Sequence, residues 1–176
     1  MTQEKIVRAL ETALRMEIDG KDFYLKMASL RHGSPGQELF EALSAEEDLH
    51  ILAFTQIYES IRKRKEWPTL DFRPEGGGHA LRSLFARAAE SLPAGAKGTP
   101  SELEDIQTAV RMESDSYDFY EHQAKHAAAD EERNFFRALA AQERQHQLVL
   151  LDLYEFLKDP AAWFVAHERP SLDAGI

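Results

Sequence analysis

Glu-x-x-His occurs twice in this 176-residue chain, as Glu47 with His50 and as Glu143 with His146, both times inside a run that otherwise reads as an apolar helix face. Residues three apart share a face of a helix. The first pair lies on the stripe Phe40, Leu43, Glu47, His50, Phe54, Ile57 and Ile61, and the second on Phe136, Leu139, Glu143, His146, Leu150, Leu153 and Leu157. Two further glutamates, Glu17 in "RMEI" and Glu113 in "RMES", occupy the middle of comparable stripes. A single Glu-x-x-His arises by chance in a chain this rich in glutamate, but two copies in register with two more glutamates carry weight. Four carboxylates and two imidazoles would then meet in an apolar interior. An unpartnered buried carboxylate is costly, and no Lys or Arg lies on the same stripes to offset it. Two divalent cations would balance four negative charges, and Glu-x-x-His on opposing helices lets a carboxylate bridge while its histidine ligates. Mixed oxygen and nitrogen ligands favour iron or manganese, with zinc a possible occupant. The competing reading turns these residues to solvent, which requires both stripes to be misphased in the same way.

The elements that must position these groups are written twice. "ALRMEIDGKDFY" at 13–24 returns as "AVRMESDSYDFY" at 109–120, an offset of 96 that also sets Phe40 on Phe136, Glu47 on Glu143, His50 on His146, Tyr58 on Tyr154 and Trp67 on Trp163. Each half reads as two long helices. In the first, Ile6, Leu10, Ala13, Glu17, Gly20, Tyr24 and Met27 recur at helical spacing. The second begins at "SPGQ", with Ser34 as cap and Gln37 able to complete a capping box, and "WP" at 67–68 ends it. Ser101 and Glu104 suggest another capping box for the third, and the fourth runs from about Glu131 to Lys158. The expected fold is all-α, an antiparallel four-helix bundle in one domain. Its parts are a helix pair at about 3–66, a long crossover at 67–100, a second pair at about 101–158 and a tail at 159–176. The crossover contains a possible short amphipathic helix, "ALRSLFARAAESL", and is long enough to pass from one end of the bundle to the other. The tail begins with an aromatic pair, Trp163 and Phe164, expected to pack on the bundle or to join two copies as a homodimer.

Residues beside the predicted centre leave alternatives open. Tyr24 and Tyr120 lie two turns beyond Glu17 and Glu113, where they could donate hydrogen bonds to ligand carboxylates or serve as core tyrosines. Gly20 and Ser116 share an inward position whose small side chains would leave room for a small oxidant or merely permit close packing. Met16 and Met112 read as core filling. His122 and His126 stand four apart, a spacing that could grip zinc, but on a face away from Glu113 and Tyr120. His32, His79 and His167 fall in loops or the tail and receive no role.

Composition narrows the function. A net charge of -10 argues against nucleic acid as a partner, whose phosphates need a clustered basic surface, and the one basic run, "IRKRKEW", lies at a helix end where it complements the macrodipole. No apolar run reaches membrane-span length and the first ten residues lack a secretory pattern, so a cytoplasmic protein is expected. The absence of cysteine removes thiolate chemistry and iron-sulfur clusters, leaving redox work to a metal on oxygen and nitrogen ligands or to a bound organic cofactor.

At Glu17, Glu47-x-x-His50, Glu113 and Glu143-x-x-His146 the sequence resembles the rubrerythrin branch of the ferritin-like superfamily, over about residues 3–158 apart from most of the crossover. The resemblance implies a carboxylate-bridged site for two iron ions, in which Glu47 and Glu143 bridge, Glu17 and Glu113 are terminal, and His50 and His146 each ligate one metal. It also matches Tyr24 and Tyr120 to tyrosines that bond to the ligand carboxylates. Two features depart from that family. No cysteine-bearing rubredoxin module is present, so electrons would come from a separate donor protein, and Ser116 stands where an additional glutamate is expected on the third helix. Three functions follow as expectations: reduction of hydrogen peroxide or dioxygen, oxidation and transfer of ferrous iron, or a non-catalytic module held together by its metals.

Overall fold

A computed structural model describes residues 3–31, 35–64, 67–68, 77–90 and 97–167. Among them are six helices and no strand: α1 (Gln3–Ser29), α2 (Pro35–Arg64), α3 (Gly77–Glu90), α4 (Pro100–His126), α5 (Asp130–Lys158) and α6 (Pro160–His167). The four long helices are those expected from periodicity. Every position of the α2 and α5 stripes is buried, glutamates and histidines included, and so is the α1 stripe apart from the half-buried Ile6.

Side-chain contacts fix the helix directions. Tyr24 reaches Glu113 and Tyr120 reaches Glu17, while Arg31 at the end of α1 pairs with Glu102 and Asp105 at the start of α4. Hence α1 and α4 are antiparallel. Since α1 and α2 form a helical hairpin, α2 and α4 run the same way, and the connection between them has to travel the length of the bundle. The short amphipathic helix expected in that connection is α3, which packs against both α2 and α5.

Two apolar clusters fill the interior, one on each side of the polar layer. The first gathers Phe40, Leu43, Ile106, Leu150, Leu153 and Phe156 with Leu81 and Phe85 of α3. The second gathers Leu10, Phe54, Ile57, Phe136 and Leu139, with Trp67 in aromatic contact with Phe135 and Phe136. The polar residues between them are thereby sealed from water along the bundle axis.

Local details correct the expectations. The α4 cap is Thr99 rather than Ser101: Pro100 takes the first turn, where its missing N–H costs nothing, and Glu102 N donates to Thr99 Oγ1 at 3.2 Å. Thr99→Ala is expected to lower stability by about 1 kcal/mol, seen as a melting point roughly 2–4 °C lower with metal content unchanged. The Gln37 side chain bonds to Glu41, and Ser34, its expected capping partner, lies outside the described residues. His79 is in helix α3 rather than a loop, and His167 stacks on Trp163 at the end of α6. Trp163 turns inward, edge-on to Phe85 and Phe156, so the exposed part of the expected aromatic pair is Phe164. No described helix is long and apolar enough to cross a membrane.

Candidate metal centre

Each long helix delivers one glutamate to the middle of the bundle, and α2 and α5 each add a histidine one turn later. Glu17, Glu47, His50, Glu113, Glu143 and His146 are all buried, with none more than 3% exposed. Their donor atoms form two overlapping groups, Glu17, Glu47, His50 and Glu143 on one side and Glu47, Glu113, Glu143 and His146 on the other, each within 4.8 Å. Glu47 and Glu143 belong to both groups, and Glu17 and Glu113 to one each. The two imidazoles lie nearly parallel with centroids 5.9 Å apart.

Both histidines aim Nδ1 at the carboxylates. His50 Nδ1 lies 2.9 Å from Glu17, 3.2 Å from Glu47 and 3.3 Å from Glu143. His146 Nδ1 has carboxylate oxygens at 3.4 and 3.6 Å but makes no hydrogen bond, and Glu143 Oε1 is likewise buried without one. A buried imidazole nitrogen and a buried carboxylate oxygen left without hydrogen bonds are what a bound cation would satisfy. The donor set therefore fits a pair of metal ions, with oxygen and nitrogen ligands that suit iron.

The protons show the same conflict of charge. Burial, together with neighbouring Glu47, pushes the Glu17 carboxyl up to about 8. Burial and the charges of Glu113, Glu17 and Glu47 push Glu143 well above the carboxylate range. Burial acts to raise Glu47 too, but its contacts with Glu17, His146 and His50 hold it well below. Burial disfavours charged imidazole, yet the carboxylates outweigh it and raise both histidines, His50 chiefly through Glu17 and His146 through Glu113. Protons are thus retained where cations belong.

The tyrosines donate across the pseudo-symmetric core, Tyr24 to Glu113 and Tyr120 to Glu17, which fixes both unshared carboxylates. Two polar residues absent from the sequence-based set also reach the centre. Glu46 Oε2 lies 2.8 Å from His146 Nε2, and Gln142 Oε1 lies 3.0 Å from His50 Nε2. Both sit one position off the inward stripe, and the available signal was that a polar residue precedes each Glu-x-x-His. On the α1 and α4 side, Gly20 and Ser116 join Met16, Met112 and the four glutamates around a cavity of about 10 Å3. His122 and His126 are exposed, away from the centre, with His126 Nδ1 bonded to the His122 carbonyl.

Comparison with curated proteins and with solved structures finds no match. The family model for rubrerythrin matches residues 8–154, and again residues 104–170. That span contains all six glutamates and histidines of the centre, and the second match starts just before the repeated helix pair's own Glu113. The chain belongs to the rubrerythrin family.

Proposed function

We propose that this protein is a carboxylate-bridged di-iron oxidoreductase that reduces hydrogen peroxide or dioxygen with electrons from a separate donor protein. The observation that carries this reading is the small space against the carboxylates. It is bounded by Glu17, Glu47, Glu113 and Glu143, with neither histidine in its wall, and its volume of about 10 Å3 suits one molecule near the size of water. Its outer wall is Met16, Met112 and Ser116, all half-buried, so a diffusible oxidant has a short path between α1 and α4.

Two ferrous ions held there would supply one electron each, the number required to convert one peroxide and two protons into two waters. The chain's own work is to hold four carboxylates close against their repulsion, to fix two of them through Tyr24 and Tyr120, and to keep bulk water out with apolar clusters on both sides. Carboxylates suit a centre whose charge rises, since they shift between one and two metal contacts with little backbone motion.

The test is stopped-flow oxidation of the anaerobically reduced, iron-loaded protein. Expected is a faster optical change with peroxide than with oxygen, and full retention of iron over repeated cycles. No response to either oxidant, or sustained oxygen-driven turnover of added ferrous iron, overturns the reading. Gly20→Ala probes the space itself. A methyl there meets Glu47 Cδ at an ordinary 3.8 Å, so the variant is expected to fold. It should gain about 0.5–1 kcal/mol of stability from helix propensity and yet react with peroxide several-fold more slowly.

A further inference from the structure

The two halves of the centre are not equivalent. Residue 46 is Glu and its counterpart 96 positions later, residue 142, is Gln. Each reaches across to the histidine of the facing helix: Glu46 to His146 Nε2 at 2.8 Å, and Gln142 to His50 Nε2 at 3.0 Å.

These acceptors differ in chemistry. A carboxylate accepts and carries charge, so facing His146 it favours hydrogen on Nε2, leaves the Nδ1 lone pair turned to the centre, and makes that nitrogen a stronger donor to metal. An amide is neutral and two-faced, presenting oxygen in one orientation and NH2 in the other. Gln142 can therefore support either tautomer of His50. The structure already separates the two rings. His146 Nδ1 lies 3.4 Å or more from the carboxylate oxygens of Glu47, Glu113 and Glu143, whereas His50 Nδ1 lies 2.9 Å from Glu17 Oε2, within hydrogen-bond distance. Before His50 can ligate, any hydrogen on its Nδ1 has to leave, and the neutral oxygen that Gln142 presents to Nε2 supports that loss less than a carboxylate would.

We propose that Glu46 and Gln142 make the two metal positions unequal, so that the position built on His146 fills first and holds its ion more tightly. This rests on the two-metal reading above. Glu46 is a positioning residue, acting through His146, and its side chain is partly exposed at 20%, so an isosteric change there should not disturb the fold.

The test is anaerobic titration of metal-free protein with Co(II), followed by absorbance and calorimetry. Two binding steps are expected, about 10–100-fold apart, the range associated with an outer partner of a metal-bound histidine. E46Q is expected to weaken the tighter step and merge the two. Q142E is expected to merge them from the other side, by strengthening the weaker step, an outcome that a damaged fold cannot produce. Two ions bound in one step by the unmodified protein, or a separation that survives both substitutions, overturns this inference and leaves the two-metal reading intact. Failure to bind two ions under any condition overturns both.

Discussion

Glu143→Gln is expected to bind neither metal ion, whereas Glu17→Gln keeps one. Glu143 and Glu47 each lend oxygens to both donor groups, while Glu17 serves only the group containing His50. An amide at 143 removes a charge and a ligand from both positions at once, and the remaining carboxylates no longer balance two divalent ions. The loss should exceed the roughly 10–100-fold typical of outer partners, because a ligand itself is lost. Elemental analysis after exposure to ferrous iron and desalting checks this. Misfolding predicts the opposite stability change. Burial and the charges of Glu113, Glu17 and Glu47 make Glu143 an unfavourable carboxylate when no cation is present. The amide should therefore raise the melting point of the metal-free protein and abolish the further rise caused by metal. A Glu143→Gln protein that still carries one full ion would show that this carboxylate is not shared.

That distinction between shared and unshared glutamates is tertiary, and it marks where the sequence stops being legible. The stripes were readable because helical spacing continues unbroken through the polar positions. Leu43, Glu47, His50 and Phe54 lie on one face whatever the remainder of the chain does, and all four are buried. The 96-residue offset then matched Glu17 to Glu113 and Glu47 to Glu143. Glu46 and Gln142 were not readable in the same way. Their role depends on the antiparallel register of α2 against α5, which brings 46 beside 146 and 50 beside 142. Nothing within either helix encodes that register. The sequence left Trp163 open between the bundle and a second copy for a related reason: its cover comes from Phe85 of α3, and the path of a crossover helix is set by contacts with distant elements. The α4 cap was ambiguous locally, since Thr99 and Ser101 are both good caps flanking Pro100, and the proline decides for the earlier one.

Metal and pH should act on stability in opposite senses, and the protons of the centre determine the signs. Glu17 has an ordinary value of 4.5 and a folded-state value near 8. Its protonated form is therefore favoured in the folded chain, a contribution fully present below about 4.5 and lost as pH rises through about 8. Glu143 and the two histidines are also raised, so they lose stability in the same direction. Glu47 opposes them, but it is lowered, and its contribution disappears only as pH falls below the ordinary carboxylate range. Between pH 5 and 8 the metal-free protein should consequently melt at progressively lower temperature. Each proton held only by the folded state gives a slope of about 1.4 kcal/mol per pH unit, or roughly 3–5 °C per unit in a chain of this size. Metal reverses the trend. Cations displace those protons, so their apparent affinity rises with pH and the loaded protein gains where the metal-free protein loses. Thermal melts of metal-free and Mn(II)-loaded protein at pH 5.5 and 8 should show a gap that widens with pH. A metal-free melting point that is flat or rising over this interval would mean that Glu17, Glu143, His50 and His146 do not hold buried protons, and the electrostatic case for two cations would fall with it.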